Sequence, residues 1–159
     1  KNFQILKETK LLHQKRKDLS KIQIIEFSIL FIILNYLDIA SKKLEDLSEI
    51  KFLSEKNESL KKEITTYLVE GNDKEAINKK INTNYEKIIR EINENSNIQI
   101  IIKNKNEEEV VTLLDELIKD HKEQSNLRKI ESLEQKLINN LDENSYSELI
   151  KLKSQLNRD

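Results

Sequence analysis

Apolar and polar positions alternate along this chain with the period of an α-helix almost from end to end. The last 33 residues carry the clearest pattern: LRKIESLEQKLINNL, then DENS, then YSELIKLKSQLNRD. Ile130, Leu133, Leu137 and Leu141 follow helical spacing, as do Leu149, Leu152 and Leu156. The spacing predicts two helices joined by a short turn, with Ser145 and Glu148 as the capping box that starts the second. Two short amphipathic helices bury only part of their apolar surface against each other, so a terminal hairpin of this kind is expected to dock on something else.

Upstream, the same reading predicts a first helix over Phe3 to Lys17, with Asp18 or Ser20 capping the next. The run IQIIEFSILFIILNYL makes the second helix, about Lys21 to Leu37, apolar on most of its circumference. A helix that is hydrophobic all round sits in the middle of a bundle, so Ile25, Ile29, Ile32, Ile33 and Tyr36 are expected to be buried. A shorter helix follows over Ile39 to Leu47, and Ile50, Phe52 and Leu53 read as an apolar plug in the next connection. The helix over Glu55 to Val69 runs into Gly71, the only glycine, where a left-handed cap is wanted. Asn72 and Glu75 mark the start of a longer helix, Asp73 to about Glu94, with Ile77, Ile81, Tyr85, Ile88, Ile89 and Ile92 on one stripe. IQIII, Ile98 to Ile102, is β-branched and strand-like, but no second strand of similar strength exists to pair with it. It reads as an extended or irregular buried connection.

From Asn106 the helical pattern meets no Gly or Pro before DENS. Val110, Leu113, Leu114, Leu117 and Ile118 belong to the first body, whereas KDHKEQSN, Lys119 to Asn126, has no large apolar residue. A helix that turns polar all round usually crosses solvent between two bodies. The expected architecture is therefore all-α: a helical bundle over 1–118, an exposed helical bridge over 119–126, and a C-terminal two-helix hairpin over 127–159. Helical throughout, the stretch from Asn106 to Asn139 would be roughly 50 Å long.

Composition agrees with that picture. Hydrophobic and charged residues each make up 36%, with one Gly and no Pro, which disfavours the turns and corners of a β-rich fold. Net charge is -1, so nothing global points to a nucleic-acid partner. Charge is uneven, however: Lys1 to Lys21 carries seven basic residues against Glu8 and Asp18. Those cations either touch phosphates or form a solvated helix face, the simpler reading. The absence of Met, and so of an initiator, is expected of a segment of a longer protein. The apolar run of the second helix is shorter than the ~20 residues a membrane span needs and is interrupted by Gln23, Glu26 and Asn35.

Candidate chemistry is sparse. There is no Cys, hence no disulfide, thiolate nucleophile or Cys-based zinc site. His13 and His121 have no carboxylate or second His at metal-ligand spacing and read as exposed helix residues. One glycine cannot make a phosphate-binding loop or a dinucleotide fingerprint. Ser and Asp residues fall at caps and on polar faces, without a His placed for nucleophilic catalysis. Glu107, Glu108 and Glu109 suit the first turn of a helix, where the dipole favours them. No catalytic, cofactor or metal residue is therefore expected in this chain.

A charged first helix, the run Glu26-Phe27-Ser28-Ile29-Leu30, a distal Phe52 and a terminal helical hairpin together resemble the C-terminal helicase-binding domain of bacterial DnaG-type primases. The resemblance spans the whole chain in architecture. In residues it rests on the end, LRKIESLEQKLINNLDENSYSELIKLKSQLNR, which is similar to that family's last subdomain. The proline often found in the family after the apolar helix is missing, its place taken by Tyr36-Leu37-Asp38. The resemblance implies a cytoplasmic parent that synthesises RNA primers, a DNA-directed RNA polymerase and nucleotidyltransferase of the primosome. Zinc and magnesium would be held in domains absent from this chain. It also implies a partner, the N-terminal collar of the hexameric replicative DNA helicase, with the hairpin as main contact. No small-molecule substrate or membrane is implied.

Within the hairpin, the inner stripe is spent on holding the helices together. Tyr146, Ile150 and Lys153 share a neighbouring face of the second helix, with Arg158 near the end. An aromatic, an aliphatic and two cations make a candidate partner-binding centre, because aromatic and Arg anchors often dominate contact energy. The other reading is that Tyr146 and Ile150 complete the hairpin core. Without the resemblance, the chain reads as a helical nucleic-acid-binding or scaffold module of unknown partner.

Overall fold

A computed structural model of the chain describes residues 19–139 and 143–156. The expected helix over Phe3 to Lys17, together with His13, Leu141 and Arg158, lies outside the described residues. Within them the chain is all-α: α1 (Lys21–Asn35), α2 (Leu37–Lys42), α3 (Leu44–Glu49), α4 (Glu55–Val69), α5 (Lys74–Asn95), α6 (Ile98–Ile102), α7 (Glu107–Asn139) and α8 (Glu143–Leu156). Contacts divide the chain into two compact units, Lys1–Ile118 and Lys119–Asp159. None of the helices among the described residues is long and apolar enough to cross a membrane.

Local sequence explains several of the helix ends. Gln23 folds back so that its Oε1 accepts the Ser20 backbone N–H at 2.9 Å, closing the start of α1. Asn106 and Glu109 do this reciprocally at the start of α7: the Glu109 N–H donates to Asn106 Oδ1 and the Asn106 N–H to Glu109 Oε2, both at 2.9 Å. The acidic triplet thus fills the first turn of α7, as its spacing predicts. Gly71 has φ +70°. Around it the Asn72 N–H donates to Tyr67 O and the Gly71 N–H to Leu68 O. These are the two bonds of a Schellman ending, which a left-handed residue makes possible.

In the first unit α1 packs against α4 and α5, α4 packs against α5, and α2 and α3 lie on α4. Ile25, Ile29, Ile32 and Ile33 of α1 are buried, joined in one cluster by Leu60, Ile64, Ile77, Ile81, Ile92, Val110, Leu114 and Ile118. Tyr36 is half-buried. Each fully buried aliphatic side chain contributes on the order of 1.5–3 kcal/mol.

α1 is buried along most of its length, and its one carboxylate is buried with it: Glu26 is fully enclosed, while Ile24 reaches solvent. Its oxygens are used on the connection between α3 and α4. Oε1 accepts the Leu53 N–H at 2.6 Å and Oε2 accepts Asn57 Nδ2 at 3.2 Å. Glu58 accepts the Phe52 N–H at 2.9 Å and pairs with Lys61 at 3.1 Å. Lys61 donates to Ile50 O and lies over the Phe52 ring, 4.9 Å from its centroid. Three buried side chains thereby satisfy three backbone groups of a connection that has no secondary structure to do so. Burial opposes ionisation of Glu58 most strongly, yet the Phe52 N–H, Lys61 and Lys62 together hold its carboxyl below the usual range. Burial pushes the Lys61 ammonium down, against the pull of Glu58.

Several expectations need correction. IQIII is not an extended connection but a helical turn, α6, with Ile98 and Ile102 buried and Ile100 78% exposed. Residues i and i+4 of a turn reach one core, which a β-branched run supplies as readily as a strand. The single helix expected over Ile39 to Leu47 is two, α2 and α3, broken at Lys43. Ile50 and Phe52 plug the core as expected, but Leu53 is exposed, its backbone turned toward Glu26. His121 is 1% exposed rather than solvated, and 123–126 are half-buried, so the stretch expected to be an exposed bridge is not exposed all round. By spacing, His121 continues the stripe Val110, Leu114, Ile118 on the same face of α7.

The α5 stripe also departs from a regular helix. Tyr85 has φ −125° and ψ 21°, and α5 kinks there. Its hydroxyl donates to Glu63 Oε2 at 2.5 Å, while Tyr67 donates to Glu63 Oε1 at 2.7 Å. The Tyr85 and Tyr67 hydroxyls hold the Glu63 carboxyl below its usual range. Burial and then the bond to Glu63 raise Tyr85 to about 12.

Two outcomes follow from these buried and bridging carboxylates. Glu26→Ala leaves the Leu53 N–H and the Asn57 amide enclosed without that acceptor and is expected to cost on the order of 1–3 kcal/mol. Urea unfolding followed by helical dichroism measures it; a loss no larger than that of the exposed Glu91→Ala would contradict the network. Glu58 and Glu63 titrate lower folded than unfolded, so the unfolded chain takes up protons first. Their contribution is therefore complete above the ordinary value of 4.5 and is lost as pH falls below it. Urea midpoints taken across that range should fall, and Glu63→Gln should flatten the fall.

Candidate interaction surface on the terminal hairpin

The second unit is built from the later part of α7 and from α8. Its core is small: Ile130, Leu133 and Leu149 are buried, with Leu137 and Leu152 packed against them. These are the inner-stripe residues that helical spacing selects, and they draw the two helices together. Helix α8 begins at Glu143, three residues before Tyr146, where the Ser145–Glu148 pattern would start it, so Ser145 lies within the first turn. Glu143 is itself an acid at a helix N-terminus, where the dipole favours it.

The four residues singled out from the sequence have different fates. Tyr146 is 56% exposed and Ile150 50% exposed. They stand one turn apart on α8 and take no part in the hairpin cluster. Lys153 is brought against the other helix, its Nζ 2.6 Å from Glu134 Oε1. A half-exposed pair of this kind is worth about 0–1 kcal/mol, so it fixes how the helices face each other more than it stabilises them. Arg158 lies outside the described residues. The structure therefore groups Tyr146 with Ile150 and assigns Lys153 an internal partner.

Sequence reading missed two features here. Among the described residues of the hairpin, Ile138 is the most exposed large aliphatic one; it directly follows Leu137, off the inner stripe. Glu134 as the Lys153 partner had no signal in either helix alone, because the pair forms across the turn. Elsewhere, the Glu63–Tyr67 spacing of one turn was visible, but the arrival of Tyr85 from α5 was not.

No group of three or more His, Cys, Asp or Glu residues that could hold a metal ion occurs among the described residues. No family model, no curated protein and no solved structure matches this chain.

Separating the two faces of α8 by mutation is a direct check. Tyr146→Ala with Ile150→Ala leaves the buried hairpin cluster intact and should keep unfolding within about 0.5 kcal/mol of the parent. Leu133→Ala opens a cavity in a three-residue core and should cost on the order of 2–5 kcal/mol. Thermal unfolding of both variants reads the difference, and equal losses would place Tyr146 and Ile150 in the hairpin core.

Proposed function

We propose that this chain is a helical binding module whose terminal hairpin docks on the N-terminal collar of a hexameric replicative DNA helicase, as the C-terminal domain of a bacterial primase does. One observation carries the docking face: Tyr146 and Ile150 stand exposed on a hairpin whose core is already closed by other residues. Neighbouring exposed aromatic and aliphatic side chains on a small subdomain are the usual centre of a protein contact. The choice of helicase as partner rests on the resemblance of the hairpin sequence to the primase family. On this reading the chain itself performs no catalysis. Primer synthesis, with its zinc and magnesium, belongs to parts of the parent outside it.

The deciding experiment mixes the chain with the replicative helicase of the same source and follows co-migration and affinity. The parent chain should co-migrate with the hexamer. Tyr146→Ala with Ile150→Ala should weaken binding by at least ~2 kcal/mol, about thirtyfold in Kd, with helix content intact. Failure of the parent chain to bind removes the helicase as partner. Undiminished binding by the double variant removes this face. Binding to nucleic acid instead, lost steeply as salt rises, would support the module's other reading.

A further inference from the structure

Helix α5 runs 22 residues with neither Pro nor Gly, yet its backbone leaves the helical range at Tyr85. Kinks of this kind have identifiable causes, and two groups act at this one. Thr83 Oγ1 donates to Lys79 O at 2.8 Å, the back-bond that bends helices mildly. Tyr85 reaches out of α5 and donates its hydroxyl to Glu63 Oε2 on α4 at 2.5 Å. The other carboxylate oxygen takes the Tyr67 hydroxyl at 2.7 Å and lies 3.4 Å from Asn84 Nδ2. Tyr67 stands one turn after Glu63 on the same helix, so the carboxylate is already held in place when Tyr85 arrives.

The kink divides the apolar stripe of α5. Ile77 and Ile81 are buried before it and Ile92 after it. The later half leads through the buried Ser96 into α6, whose Ile98 and Ile102 join the core. With neither Pro nor Gly in α5, the bend has another cause. The hydrogen bond from Tyr85 to α4 supplies a pull in the right place.

We propose that α5 is a hinged helix, with Tyr85 as the hinge and the Glu63 carboxylate as the latch that holds its two halves at an angle. Thr83 makes the bend easier and the latch keeps it. With the latch released, 74–84 and 86–95 align into one continuous helix, and the later half moves relative to α4 together with α6. The latch is a half-exposed polar contact, which opens far more readily than the buried isoleucines on either side. The result is a bistable element built into an otherwise tightly packed unit.

The test uses the full chain and three variants, read by backbone NMR shifts over residues 82–88 and by amide hydrogen exchange. In the parent, the Cα shift of Tyr85 should fall out of the helical range. Tyr85→Phe keeps the ring and removes only the donor; it should restore a helical shift and slow exchange over 85–89 by about tenfold. Glu63→Ala removes the latch from the other side and should do the same, so either variant serves if the other folds poorly. Thr83→Ala should leave the non-helical shift in place. Persistence of the kink in Tyr85→Phe, or its loss in Thr83→Ala alone, overturns the proposal.

Discussion

Burying most of α1 is the constraint from which the first unit follows. A helix with this much apolar surface must be wrapped, and α4 and α5 do the wrapping. Wrapping it also encloses Glu26, and an enclosed carboxylate is costly unless its oxygens are satisfied. The chain meets that demand with the connection between α3 and α4, which has backbone N–H groups of its own to place. Leu53 gives one to Glu26, Phe52 gives one to Glu58, and Lys61 closes the set on Ile50 O. The burial of charge and the course of an irregular connection are thus two sides of one solution. It also places Phe52 in the core, with Lys61 over its ring.

The second unit is organised differently. Its core is three buried residues and two half-buried ones, too few to dominate by burial. The Lys153–Glu134 pair adds orientation at the surface. A hairpin this thinly packed still leaves Tyr146 and Ile150 on the outside, although burying them would have enlarged its core. That unused apolar surface is what the proposed contact with a partner draws on.

Helix α5 departs from what its local sequence would set. Its sequence supports a helix throughout, yet its backbone leaves the helical range at Tyr85, whose hydroxyl donates to a carboxylate on α4. Lys43, paired with Asp115, sits at the break between α2 and α3. The Tyr85–Glu63 bond differs in that the backbone departs from helical geometry within a helix, at the donor residue itself.

By itself the sequence determined the helical class, the bounds of α4, the Gly71 ending, the acidic first turn of α7 and the inner stripe of the hairpin. Each of these depends on residues within a turn or two of one another, so periodicity and capping patterns reveal them. Tertiary structure alone decided the rest. IQIII became a helical turn because the core could take Ile98 and Ile102 from one face, overriding β-branched preference. His121, polar by type and expected to be exposed, is buried. Glu26, read along the chain as an interruption, became the anchor of a connection 27 residues away. Tyr85, one position in an apolar stripe, became both the site of a kink and the partner of a carboxylate 22 residues earlier. In the hairpin, spacing selected Tyr146, Ile150 and Lys153 together, and only the packing of two helices separated the exposed pair from the lysine held by Glu134. Partners so distant in sequence leave no periodic trace, because the interaction depends on where whole helices come to rest and not on the spacing within any one of them.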